Sequence, residues 1–145
     1  MADHLRVARV LQIVARGLGK VGHERARTNG ITPQQADAVE LLESRGTLST
    51  STLAALLGID PSTASRNLAG LERAGLIARK RDGDDGRQTE VRLTPKGKRV
   101  AEALAADTQR AFNALLERVP RGERQGVFEA FELIARAVSA AEGRS

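Results

Sequence analysis

The chain has 145 residues, a length that suits one domain or two intimately fused halves, with 41% hydrophobic residues, 2% aromatic and no cysteine. The absence of cysteine excludes disulfides, thiolate metal sites and cysteine redox sensing. The net charge of +5 suits a polyanionic partner; no apolar run approaches the roughly 18 residues of a membrane span, and no signal pattern opens the sequence, so a cytoplasmic protein without a membrane partner is expected.

The first periodic segment runs from about Asp3 to Arg27. Val7, Leu11, Val14, Leu18 and Val21 alternate spacings of four and three, which puts them on one helical stripe close to an a/d seam. Thr28-Asn29-Gly30 breaks the pattern. Thr32-Pro33-Gln34-Gln35 then reads as a helix start, with Thr32 as cap, Pro33 at the first position and Gln35 completing a capping box. That helix carries Ala36, Val39 and Leu42 and ends at Gly46. A short helix follows from about Thr50 to Leu57, capped by Ser49. Gly58-Ile59-Asp60 makes a tight turn, with Gly58 left-handed and Ile59 expected to plug the core. Asp60-Pro61 caps and opens the next helix, which turns Leu68 and Leu71 inward and stops at Gly75.

Leu76 to Arg81 and Thr89 to Thr94 read as two short strands, because Val91 and Leu93 alternate with Arg92. The turn-rich Asp82-Gly83-Asp84-Asp85-Gly86-Arg87-Gln88 joins them as a hairpin. Thr94-Pro95 starts a long helix to about Arg118, interrupted by Pro120 and Gly122. A last helix carries Val127, Phe131, Ile134 and Val138 at spacings of four, three and four. The order predicts a mostly α fold with a small β-hairpin wing, a winged helix-turn-helix flanked by N- and C-terminal dimerisation helices. It reads as a single domain over 1–145, with a DNA-binding lobe at 32–94 (recognition helix about 61–74, wing about 77–93). A helical dimerisation lobe takes 1–28 and 95–143.

The candidate recognition helix clusters Pro61, Ser62, Thr63, Ser65, Arg66 and Asn67 at its N-terminal end. In a helix-turn-helix these positions enter the major groove. Short hydroxyls allow close approach, Arg66 can fork onto guanine and Asn67 onto adenine. From Leu76 to Arg99 there are eight basic residues (Arg79, Lys80, Arg81, Arg87, Arg92, Lys96, Lys98, Arg99) against four acidic ones (Asp82, Asp84, Asp85, Glu90). The difference is +4, against +5 for the whole chain. Positive charge therefore gathers beside that helix, and Arg87 at the tip suits a narrow A·T-rich minor groove.

The sequence resembles the MarR (multiple antibiotic resistance regulator) family over essentially its whole length. Asp85-Gly86-Arg87 followed by Val91-Arg92-Leu93-Thr94-Pro95-Lys96-Gly97 looks like the family's wing signature. Leu71-Glu72-Arg73-Ala74-Gly75-Leu76-Ile77 resembles its recognition-helix exit, and Ser62-Thr63-Ala64-Ser65-Arg66 its recognition segment. The resemblance implies a homodimer with interlocking terminal helices, a palindromic operator, and action as a repressor that a small anionic or aromatic effector releases. By position it implies that Ser62, Thr63, Ser65 and Arg66 contact DNA, that Arg87 sits at the wing tip, and that Asp85 orders the wing. The stripes at the two ends give the dimer independent support: Val7, Leu11, Val14 and Leu18 on one, Phe131, Ile134 and Val138 on the other. With no Tyr or Trp, a pocket would lack the stacking and hydroxyl groups that aromatic ligands use.

No catalytic constellation is present: His4 and His23 are the only histidines, and Gly17 and Gly19 follow no strand. Asp82, Asp84 and Asp85 lack the spacing and terminal Glu of a calcium loop, so neither metal nor cofactor is expected. The competing reading is a winged-helix module that binds protein instead of DNA.

Overall fold

The computed structural model describes residues 2–81 and 89–142, with side chains for 5–81 and 89–141. Its elements are α1 (Ala2–Thr28), α2 (Pro33–Arg45), β1 (Leu48–Ser49), α3 (Thr50–Leu57), α4 (Pro61–Arg73), β2 (Ile77–Arg81), β3 (Thr89–Leu93), α5 (Pro95–Glu117), a 3-10 turn (Arg121–Glu123) and α6 (Arg124–Glu142). The chain is mostly helical with one small antiparallel sheet in the order β1-β3-β2, the mixed class expected. It divides after Thr108 into two compact units.

Local chemistry sets the helix boundaries in the first unit. Thr32 Oγ1 accepts from the Gln35 amide (3.2 Å) while Gln35 Oε1 accepts from the Thr32 amide (3.0 Å), so the capping box is complete. Ser49 caps α3 by accepting from the Thr52 amide, and α3 ends on Gly58 in the left-handed region at φ 64°. An L-residue there pays for the clash between its Cβ and the following carbonyl. Thr94 caps α5 through the Gly97 amide (3.0 Å).

The core of this unit contains no aromatic ring. Val39 and Leu42 of α2, Leu53 of α3, Leu68 and Leu71 of α4, Leu76 before β2, Ile77 of β2, Val91 of β3 and Leu104 of α5 are buried together. Each fully buried Leu contributes about 1.5–3 kcal/mol by leaving water. Leu57, not Ile59, packs against this cluster from the turn; Ile59 is only half-buried. Gly58, left-handed, reverses the chain between the two.

Strand β1 carries no signal in the sequence. Its two residues are too few to show alternation, and it exists because Leu48 pairs with Val91 and Ser49 with Glu90. Strands β2 and β3 pair from Ile77 with Leu93 to Arg81 with Thr89. The 3-10 turn at Arg121–Glu123 occupies the Pro120/Gly122 interruption.

In the second unit Phe112 stands edge-on to Phe128 (centroids 5.7 Å apart, 61°) and to Phe131 (6.2 Å, 76°). Arg124 Nε donates to the Val119 carbonyl (3.1 Å) and closes the turn into α6.

Candidate nucleic-acid interface

Helix α4 is anchored on one side by Ala64, Leu68 and Leu71, all buried. With side chains three and four residues apart sharing a face, this turns Ser62, Ser65 and Arg66 outward, and all three are exposed. Asp60 organises the exposed end. Its carboxylate accepts from the Ser62 hydroxyl, from the Thr63 amide (2.9 Å) and from the Thr63 hydroxyl (2.6 Å). The Ser62 bond, then those from Thr63, hold the Asp60 carboxyl well below its ordinary range. Arg66 Nη2 in turn donates to Thr63 Oγ1 (3.2 Å).

Asn67 is placed differently. It is half-buried, its Nδ2 donates to Gln34 Oε1 (3.0 Å), and its carbonyl accepts from Gln35 Nε2 (3.4 Å). The start of α2 is thereby tied to the middle of α4. Gln34 carries no sequence signal for this role, because its partner is 33 residues away.

At the base of the wing, two of the seven described basic residues are engaged with the protein. Arg79 Nε bonds Glu72 Oε2, and Lys96 Nζ donates to the Ala74 carbonyl (2.8 Å). Lys80, Arg81, Arg92, Lys98 and Arg99 are exposed. Asp85 and Arg87, together with the acidic triplet of the tip, lie outside the described residues.

The charge has a second seat. Helix α1 holds six basic residues (Arg6, Arg9, Arg16, Lys20, Arg25, Arg27) against two acidic ones (Asp3, Glu24), a difference of +4 equal to that of the hairpin. The chain total stays at +5 because the remaining segments are acidic on balance. Arg25 reaches inward, bonding Glu40 and the Leu104 carbonyl (3.2 Å). Arg9, Arg16, Lys20, His23 and Arg27 are exposed and, at spacings of seven, four, three and four, share a face opposite the Val7/Leu11/Leu18 stripe. Lys20, His23, Glu24 and Arg27 line a surface cleft of about 510 Å³ floored by Ile31 and Pro33.

The apolar stripes at the two ends are uncovered within one chain. On α1, Val7, Leu11 (44% exposed) and Leu18 face solvent and Val14 is half-buried; on α6, Ile134 and Val138 (53%) are exposed and Phe131 is half-buried. No helix among the described residues is long and apolar enough to cross a membrane.

The fold has counterparts in known proteins. A MarR family model matches residues 29–88. The helix-turn-helix-type transcriptional regulator YdgJ of Bacillus subtilis is 31% identical over 110 residues, covering 75% of this chain and 67% of its own. The chain belongs to the MarR family. Among solved structures, this MarR protein is similar to a MarR family protein from Bacillus stearothermophilus (TM-score 0.85, 26% identity, 94% of this chain and 96% of that one). It also shares the fold of a Staphylococcus aureus MepR mutant bound to an oligodeoxyribonucleotide (TM-score 0.68, 19% identity, 91% and 97% covered). Its family consists of transcriptional regulators, not enzymes.

Proposed function

We propose that this MarR protein is a sequence-specific repressor that binds a palindromic operator in double-stranded DNA as a homodimer and is released by a small effector. The observation that carries the reading is the exposed polar end of α4, presenting Ser62, Ser65 and Arg66 on a helix whose opposite side is locked into the core. Such a helix end fits a major groove. Asn67 joins the reading through its Oδ1 and the second hydrogen of its Nδ2, the first being given to Gln34 Oε1. Arg87 is assigned to the minor groove and Asp85 to ordering the wing, on the strength of the family signature. The DNA-bound MepR structure is the family precedent for the partner.

The homodimer rests on the two uncovered stripes, since contiguous exposed apolar surface of this kind marks an interface. Two linked heads then read half-sites about one helical turn apart. The effector rests on the cleft lined by Lys20, His23, Glu24, Arg27, Ile31 and Pro33, where the Lys20 ammonium beside apolar Ile31 and Pro33 suits a small organic anion. Benzoate is a direct probe, expected to raise the melting temperature and lower operator affinity; no effect on either removes the effector from the reading.

The decisive experiment selects bound fragments from genomic DNA and measures the salt dependence of binding. Contact with about 8 to 10 phosphates gives a log–log slope of about −7 to −9. Failure to select any DNA, or a flat dependence, would instead identify a protein-binding winged-helix module. A reporter placed behind the selected operator should rise in expression when the regulator is removed; a fall would make it an activator.

A further inference from the structure

We infer that Asp60 is a positioning residue for base reading, which commits the Ser62 and Thr63 hydroxyls to act as hydrogen-bond acceptors toward DNA and so makes them select the amino groups of adenine or cytosine. The inference rests on the DNA-binding function proposed above and specifies what that helix end reads.

A hydroxyl has one hydrogen to give and two lone pairs to receive with. The Ser62 hydrogen goes to Asp60 Oδ1 and the Thr63 hydrogen to Asp60 Oδ2 at 2.6 Å. An ionised carboxylate can only accept, so a hydroxyl that turns its hydrogen outward gives up a charge-assisted bond to Asp60. The same bonds lower the Asp60 pKa below its ordinary value, and the carboxyl is ionised throughout the neutral range. One lone pair of Thr63 Oγ1 already takes the Arg66 guanidinium at 3.2 Å. What remains available on both hydroxyls is acceptor capacity.

Two consequences oppose phosphate contact at this spot. Phosphate oxygens offer only lone pairs, which a hydroxyl with its hydrogen spent cannot bond. A bare helix N-terminus carries about half a positive charge and attracts phosphate, but the full negative charge of Asp60 opposes that attraction at the two hydroxyls it holds. The major groove offers adenine N6 and cytosine N4 as donors, while guanine O6/N7 and thymine O4 are acceptors. Acceptor hydroxyls therefore favour the first pair. Arg66, tethered through Thr63 beside them, keeps free donors for guanine O6 and N7.

The test compares base preferences of the full-length protein and its variants on a randomised half-site library. Wild type should prefer adenine or cytosine over guanine or thymine by about fivefold at the positions facing Ser62 and Thr63. In Asp60→Asn the amide can still cap Thr63, but its NH₂ donates to one hydroxyl and frees that hydrogen to point outward. The preference at that position should fall to parity or turn toward guanine or thymine, and binding to random DNA should tighten. Asp60→Ser, a second capping residue, should likewise lose the preference, and serves if the amide variant does not fold. Ser62→Ala with Thr63→Val should abolish the preference without tightening random binding. Unchanged base profiles in both Asp60 variants, with only a lower melting temperature, would reduce Asp60 to a helix cap. A wild-type preference for guanine or thymine at these positions overturns the inference outright. Wild type that binds no DNA overturns the proposed function itself, a different result from the other two.

Discussion

Gly97, in the first turn of α5, passes so close to Leu76 that a Cβ placed on it would stand 1.9 Å from the Leu76 carbonyl oxygen. That same oxygen accepts from the Thr94 amide (3.0 Å), so the end of β3, the start of α5 and the exit of α4 converge on one peptide. The contact is with backbone, which cannot swing aside. Gly97→Ala should therefore cost about 1–3 kcal/mol, in the manner of an overpacked core, read from the urea midpoint. An unaltered midpoint would mean that the base of the wing yields without loss.

Arg66→Ala should cost about 1–3 kcal/mol on the selected operator and relax base choice at one position. Titration against operator and random duplexes separates the two roles of this side chain. Equal loss on both would show that Arg66 touches only phosphate.

Leu11→Asp combined with Leu18→Asp puts two charges into an apolar stripe that is already exposed within one chain. The fold of the single chain should survive, and sedimentation should report a monomer that has lost operator affinity. A stable dimer would place the interface elsewhere.

The pair Gln34 and Asn67 lends itself to a double-mutant cycle. Their side chains bond at 3.0 Å, and an amide hydrogen bond nets about 0.5–1.5 kcal/mol. Single alanine variants and the double variant, compared by urea denaturation, should show coupling of about that size. Additive losses would mean that α2 and α4 are joined by packing alone.

Two carboxylates should bend the pH profile in opposite directions. Asp60 is held below its ordinary value of 3.8 by its hydrogen bonds, so its stabilisation is complete above that pH and fades as the pH falls further. Asp37 is raised from 3.8, first by burial and then by Glu40, against the pull of Arg25. Its favourable contribution belongs to low pH and is lost as the pH climbs through its folded value. Asp37→Asn should consequently raise stability at pH 7 and leave it unchanged at pH 3; no gain at pH 7 would refute the assignment.

What could be read from the sequence was local. The Thr32/Gln35 box, the caps at Ser49, Asp60 and Thr94 and the left-handed Gly58 each depend on residues within a few positions of one another. The exposed end of α4 followed from the buried spacing of Leu68 and Leu71. Long-range partnerships left no trace. Strand β1 exists only through β3, Gln34 is known only by Asn67, and the engagement of Arg79 by Glu72 and of Lys96 by the Ala74 carbonyl removes cations that a charge count treats as free. The basic face of α1 was masked because its apolar stripe dominates the periodic pattern, and acidic segments elsewhere bring the total back to +5.

The pairing of β1 with β3 limits how a signal can travel through this molecule. Ser49 pairs with Glu90 of β3 and also caps α3, while Leu48 pairs with Val91, whose side chain is fully buried. A slip of β3 by one residue would exchange Val91 for Glu90 or Arg92 in the apolar interior and strip α3 of its anchor in the same stroke. Sliding is thus closed to the hairpin. In the proposed homodimer, an effector would therefore tilt hairpin and reading head together as one lever, and the spacing between two such levers would be the quantity it controls.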